Sequence, residues 1–324
     1  MNYIFKSFGA FREFLERLHI PGGLKLWVTC LSIAFIGMSV YRNFGKLSQQ
    51  SIDSVTLMIL FLSFFISCLS LLVNAIAWKK IIEWLGYKKI NLDIISLFLR
   101  SNILKYLPGG VWHFVERVRV LKKNIGSEKA FLSVLIEPFF MIIGALFWVA
   151  LGEFELWISI ICLMPFLFLI SRFRNILISQ LDRVKSSLIQ KISSKGLIED
   201  YKINSSSLSH KYPFSALFME IIFIGLRFFS FWLCLTAFSL GSTFQILHWS
   251  ALFSIAWIVG LIVPSAPGGV GIFEACLLLI IDSSVSESGL ISALLFYRIL
   301  VSAADLFVVL IAPKNIESSG LSFS

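Results

Sequence analysis

Long apolar runs dominate the chain, and polar residues fall between them instead of alternating with them. A helix rises 1.5 Å per residue, so about 20 apolar residues cross a hydrocarbon layer roughly 30 Å thick. The runs Leu24 to Val40, Val55 to Trp78, Phe131 to Leu151, Leu156 to Ile170, Pro213 to Leu240, Ile246 to Val263, Ile272 to Ile281 and Gly289 to Ala312 therefore read as membrane spans. The pattern predicts an all-α, polytopic membrane helical bundle of about eight spans. Two stretches fit no plain span. Ile94 to Trp112 is apolar but interrupted by Arg100, Lys105 and Pro108-Gly109-Gly110, and a second interruption falls at Pro264 to Gly271.

Ahead of the first span, residues 2 to 19 carry Ile4, Phe8, Phe11, Leu15 and Leu18 at helical spacing, with Lys6, Arg12, Glu13, Glu16 and Arg17 mostly on other faces. Residues 1–23 are expected to form an interfacial amphipathic N-terminal helix, stopped by Pro21-Gly22-Gly23. The segment lacks the unbroken apolar core of a secretory signal, so the chain is expected to keep its N-terminus. Residues 24–312 then form a single transmembrane domain, and 313–324 a short C-terminal tail.

Composition agrees with this reading. Of 324 residues, 57% are hydrophobic and 15% charged, against about 25% charged in a soluble domain. The net charge of +9 reports topology and contact with anionic lipid before it reports nucleic acid. No basic run is interleaved with stacking aromatics outside the spans, so no nucleic-acid partner is expected. With the N-terminus in the cytoplasm, nearly all of the 28 Lys and Arg fall on that side. Arg42 and Lys46 lie outside, and Arg227 and Arg298 lie within spans. In this count Arg117 and its neighbours belong to a cytoplasmic connection. Both termini are expected to be cytoplasmic. The 171–212 segment is a basic cytoplasmic loop whose Leu177, Leu181, Val184, Leu188 and Ile192 make one helical stripe, either solvated or lying on headgroups. The five cysteines fall singly inside apolar stretches and read as buried hydrophobes, without a disulfide framework, metal site or cofactor.

The two interruptions share a motif. Pro108-Gly109-Gly110-Val111-Trp112-His113-Phe114 and Pro267-Gly268-Gly269-Val270-Gly271-Ile272-Phe273 match at Pro, Gly, Gly, Val and Phe and lie about half the chain apart. A membrane helix broken this way frees backbone groups that hydrocarbon cannot solvate, so they must be buried in protein or face a wet cavity. Paired breaks in two halves point to broken or re-entrant helices around a midplane site, an internal repeat. A half-helix starting after the break would aim its amides at an anion, for which a phosphate headgroup is the natural candidate. A tight turn between spans is the alternative. Neither copy has the Lys-Ser/Thr of a nucleotide-binding loop.

Charges within or beside the spans are the other candidates: Glu137, Glu220, Arg227, Glu274, Arg298 and Asp305. Each costs about 2.5–3.5 kcal/mol at a span centre on insertion scales, so they pair or line a wet interior. Glu220 and Arg227 are separated by two helical turns, as are Arg298 and Asp305, about 10 Å in each case. Cross-helix pairing, for example of Arg298 with Glu274 or Glu220, is therefore expected. Whether such pairs are static or form a polar path for a headgroup stays open. His113, beside the first break, has no Ser, Cys or carboxylate placed to form a triad with it.

At these residues the chain resembles the transmembrane-region family of lysylphosphatidylglycerol synthases. The resemblance rests on Lys105-Tyr106-Leu107-Pro108-Gly109-Gly110-Val111-Trp112, on Pro264-Ser265-Ala266-Pro267-Gly268-Gly269-Val270-Gly271-Ile272-Phe273-Glu274, and on Tyr297-Arg298 in the last span. It extends from about Val55 to Ala312. It implies a flippase-like membrane part in the bacterial inner membrane, associated with moving aminoacylated phospholipid between leaflets. The soluble domain that makes the lipid in that family is expected to be absent from a chain ending at Ser324, so no enzyme activity is inherited from the family name. Asp305 stands near the place where the family's last span often carries Pro.

The expectation is a protein that binds or translocates a phospholipid-like amphiphile, anionic or aminoacylated. Lys105, His113, Glu220, Arg227, Glu274, Arg298, Asp305, Pro108, Gly109, Gly110, Pro267, Gly268 and Gly269 are its candidate substrate-binding residues. Arg298 would bind phosphate, Glu274 and Glu220 would supply counter-charge, and Lys105 would gather anionic lipid at the cytoplasmic mouth. No ATP-coupling motif is visible, which leaves movement downhill or ion-coupled. The alternatives are a membrane transferase acting on a lipid-linked substrate and a non-catalytic subunit beside a membrane synthase partner.

Overall fold

The computed structural model of the chain describes residues 53–88, 90, 92–106, 111–152, 154–170, 212–262, 271–281 and 285–313. The amphipathic N-terminal segment, the Leu24 to Val40 span, both Pro-Gly-Gly triplets, nearly all of the 171–212 loop and the tail after Pro313 lie outside the described residues. Those described form only helices and turns. They are α1 (Ser54–Trp84), α2 (Ile94–Asn102), a 3-10 turn (Ile103–Tyr106), α3 (Trp112–Ile125), α4 (Ser127–Leu151), α5 (Leu156–Phe168), α6 (Phe214–Ala237), α7 (Ile246–Ile262), α8 (Ile272–Ile280) and α9 (Glu287–Ile311). Helices α1, α4, α6 and α9 are long and apolar enough to cross a membrane, and α5 and α7 are shorter apolar helices. The fold is a polytopic helical membrane bundle.

Local chemistry sets the ends. Asp53 caps α1 by accepting the Thr56 amide at 2.8 Å. Hydrogen bonds from Thr56, side chain first and backbone second, hold the Asp53 carboxyl below the ordinary carboxylate range. The cap therefore operates at neutral pH and is lost as the pH falls through that lowered value. Between α3 and α4 the chain turns on Gly126 alone, at φ +80°, a conformation that only a residue without Cβ adopts at little cost.

Helix α1 is largely apolar, and exposed Leu57, Met58, Phe61 and Phe65 occupy one lipid-facing side. Its buried face carries the small polar residues Ser63, Ser67, Ser70 and Asn74. Ser230 of α6 meets this row, 2.9 Å from Ser63 Oγ and 2.7 Å from Ser67 Oγ. Lipid tails are as apolar as Leu, so helices associate here through close packing and such hydrogen bonds. Helix α4 packs on α6 in the same way. A Cβ on Gly144 would stand 3.2 Å from the Glu220 carbonyl carbon, and one on Gly225 would stand 2.5 Å from the Trp148 ring. The Trp148 indole N–H donates to the Ile221 carbonyl at 2.9 Å. Beyond α6, the aromatic side chains of Phe231, Trp249, Phe253, Phe273 and Tyr297 lock α6, α7, α8 and α9 together.

Gly225→Ala is expected to drive the Trp148 ring out of its seat and lower stability by about 1–3 kcal/mol. Gly260→Ala, whose added Cβ would find its nearest neighbour at an ordinary 3.5 Å, should be neutral or slightly stabilising. Thermal unfolding of the detergent-solubilised protein compares the two.

Candidate functional site: two charged nodes inside the bundle

The residues that flank the first motif build one node. Helix α3 buries Arg117, Val120, Leu121 and Ile125 on a single stripe, so its apolar face carries a guanidinium. Arg117 is 1% exposed. Its Nη1 donates to Glu137 of α4 at 2.7 Å and its Nε to Ser101 Oγ of α2 at 2.9 Å. The guanidinium lies 3.8 Å from the Phe98 ring centroid and 5.3 Å from that of Trp78, so its remaining faces are covered by π systems. Glu220 of α6 shares this node. It is 0% exposed, it lies within electrostatic reach of Glu137 and Arg117, and neither carboxyl oxygen has a hydrogen-bond partner among the described residues.

A second node centres on α9. Asp305 is fully buried and takes three donors from the segment leading to the first motif. Lys105 Nζ lies 2.7 Å from Oδ2, the Tyr106 hydroxyl donates to Oδ2 at 2.5 Å, and Asn102 Nδ2 donates to Oδ1 at 2.8 Å. Two turns earlier on α9, Arg298 donates its Nε to Glu274 of α8 and lies over the Phe273 ring at 5.0 Å. The other Glu274 oxygen accepts the Gly271 amide at 2.6 Å, closing the first turn of α8 directly after the second motif. Arg227 of α6 is 5% exposed and is placed over Phe223 at 5.6 Å, and its Nη1 has no hydrogen-bond partner among the described residues. Both Arg227 and Arg298 are within electrostatic reach of Lys105 and of Tyr297. Among the described residues, three cations thus gather about two carboxylates.

Of the residues singled out from sequence, the structure brings Lys105, Arg227, Glu274, Arg298 and Asp305 into this second node and puts Glu220 in the first. Arg298 has its cross-helix partner in Glu274, while Glu220 sits with Arg117 and Glu137. The Lys105 ammonium is engaged on Asp305. His113 lies in the first turn of α3 with its ring against Phe114 at 3.8 Å and its Nδ1 buried without a hydrogen bond among the described residues. Pro108, Gly109, Gly110, Pro267, Gly268 and Gly269 lie outside the described residues. Four participants escape the sequence reading: Arg117, which α3 buries on its inner face, and the hydrogen-bonding Ser101, Asn102 and Tyr106. The stripe that Arg117 shares with Val120, Leu121 and Ile125 is the signal that identifies it.

Buried charges held between apolar helices that expose hydrocarbon-compatible faces define a polytopic membrane protein with charged groups in its interior. The family comparison agrees with that class. The chain belongs to the family described as the lysylphosphatidylglycerol synthase TM region, whose model matches residues 24–308. No curated protein matches the chain.

Arg117→Met should cost about 3–5 kcal/mol, because it leaves Glu137 buried without its partner. The Lys80–Glu83 pair has a similar separation, 2.8 Å, but the Lys80 side chain is 36% exposed. Lys80→Ala should therefore change stability by less than about 1 kcal/mol. Equilibrium unfolding in detergent tests both.

Proposed function

We propose that the protein binds a phospholipid-like amphiphile and carries it between the leaflets of a bacterial inner membrane, with both termini in the cytoplasm. The observation that carries this reading is the cation excess of the second node. Lys105, Arg227 and Arg298 act on one another there against Asp305 and Glu274. An uncompensated positive charge within an apolar bundle is unfavourable, and an anion entering beside it restores balance. Arg227 supplies the donor, through an Nη1 that has no partner among the described residues. Its planar fork suits two phosphate oxygens, and the charge-assisted bonds it would form are stronger than neutral ones. The family takes its description from the membrane region of lysylphosphatidylglycerol synthase, which supports a phospholipid as the amphiphile, anionic or aminoacylated.

In this reading the α8 amide end and the Lys105 segment, one beside each motif, bracket the place where the headgroup sits. Arg298 is held by Glu274 and Lys105 by Asp305, so both cations are pre-positioned without collapsing onto the ligand. The carboxylates supply the counter-charge that keeps the node tolerable between ligands.

Purified protein in vesicles with fluorescent aminoacyl-phosphatidylglycerol provides the test. The wild type should exchange the probe between leaflets, and Arg227→Ala and Arg298→Ala should each slow exchange about tenfold or more, as expected for loss of a charge-assisted hydrogen bond worth about 1.5–3 kcal/mol. Arg227→Ala is the cleaner variant, since it strands no carboxylate partner among the described residues. Exchange no faster than in protein-free vesicles would end the reading, and formation of a new lipid product would replace it with a transferase.

A further inference from the structure

The first node holds two carboxyl groups and one guanidinium in a space closed to solvent, and the lipid-carrying role does not use it. Glu137 takes the Arg117 Nη1 donor at 2.7 Å. Glu220 is 0% exposed, and both of its oxygens lack a hydrogen-bond partner among the described residues. The α4 backbone is close-packed on it, since a Cβ at Gly144 would lie 3.2 Å from the Glu220 carbonyl carbon. Helices α1, α4, α7 and α9 all pack on α6. Among the described residues, the charged groups acting on Glu220 are Glu137 from α4 and Arg117 from α3, and α1, α7 and α9 add none. An ionised carboxylate without donors in such a place is far costlier than a neutral carboxyl. Two carboxyl groups facing one cation are neutral as a group only with one proton bound.

We propose that Glu220 is a proton-binding site, and that uptake and release of its proton couple lipid movement to the proton gradient. The coupling rests on the function proposed above; the proton site itself does not. The step is simple: the Glu220 carboxylate gains a proton on one oxygen, the Arg117–Glu137 pair stays intact, and the node passes from one net negative charge to none. Release reverses this and leaves Glu220 to compete with Glu137 for Arg117. The three helices that supply the node, α3, α4 and α6, are thereby biased between two arrangements.

Infrared spectroscopy of the full-length protein in detergent at neutral pH tests the site directly. The wild type should show a carbonyl stretch from a buried protonated carboxyl that is absent in Glu220→Gln and shifted in Glu220→Asp, the fallback should the amide fail to fold. Glu137→Gln should also lose that band, because Glu220 must then ionise to hold Arg117. A wild type without the band, or a band that persists in either Gln variant, overturns the proton site whatever the lipid result. In vesicles, a transmembrane pH difference should change exchange severalfold in the wild type and leave Glu220→Gln indifferent to it. Exchange equally insensitive in both overturns the coupling. A normal band in a protein that exchanges no lipid leaves the proton site standing and removes the lipid-carrying role instead.

Discussion

A guanidinium or carboxylate inside hydrocarbon must find its counter-charge on another helix, and this requirement ties the bundle together. Residues on one helix that lie two turns apart, such as Glu220 and Arg227, cannot meet. Compensation therefore has to cross helices, and each crossing fixes a register. Arg117 joins α3 to α4 and, through Ser101, to α2. Arg298 joins α9 to α8, and Asp305 joins α9 to the Lys105 segment. The pairs after the two motifs use one device with the charges exchanged. Following the first motif, the Arg sits on the adjoining helix and the Glu on the next. Following the second, the Glu adjoins and the Arg comes from the next helix. In both, a Phe ring covers the guanidinium, Phe98 in one and Phe273 in the other. Asp305 then links the last helix of the second half to the segment preceding the first motif.

Much of the fold was legible because a span is defined by length and apolarity, which a sequence states directly. The runs from Val55, Phe131, Leu156, Pro213, Ile246, Ile272 and Gly289 all correspond to helices within a few residues at each end. The buried faces were harder to read. In α1 nearly every position is apolar, so periodicity cannot separate a lipid-facing side from a packed one. What does separate them is the row Ser63, Ser67, Ser70 and Asn74 at helical spacing, because a small polar group is wasted on lipid and useful against another helix.

The site was legible in part. Intramembrane charge marked Glu137, Glu220, Arg227, Glu274, Arg298 and Asp305 as groups needing explanation, and a separation of about 10 Å over two helical turns made cross-helix partners the expectation. The identity of each partner was not available, because it depends on which helices are neighbours. Arg117 was hidden for a different reason. Counting cations between apolar runs assigns everything there to a loop, whereas α3 is an amphipathic helix packed on α4 with a cation on its inner face. Asn102 and Tyr106 carry no charge and are ordinary residues until Asp305 arrives beside them.

Counted over the described residues, the two nodes together are balanced, although neither is balanced alone. Arg117 faces Glu137 and Glu220, one negative charge in excess when both carboxyls are ionised. Lys105, Arg227 and Arg298 face Asp305 and Glu274, one positive charge in excess. Direct cancellation would need Glu220 and Arg227 to touch, and their spacing along α6 forbids it. On the proposed reading each excess is met separately, by a proton at Glu220 and by an anion at Arg227. Both ligands neutralise, so a bundle holding both presents no net charge to the hydrocarbon around it, while one holding either alone does. Rearrangement of helices in a low-dielectric medium is least costly for the neutral state. Charge separation along α6 thus gives a physical reason for proton and anionic headgroup to move as a pair.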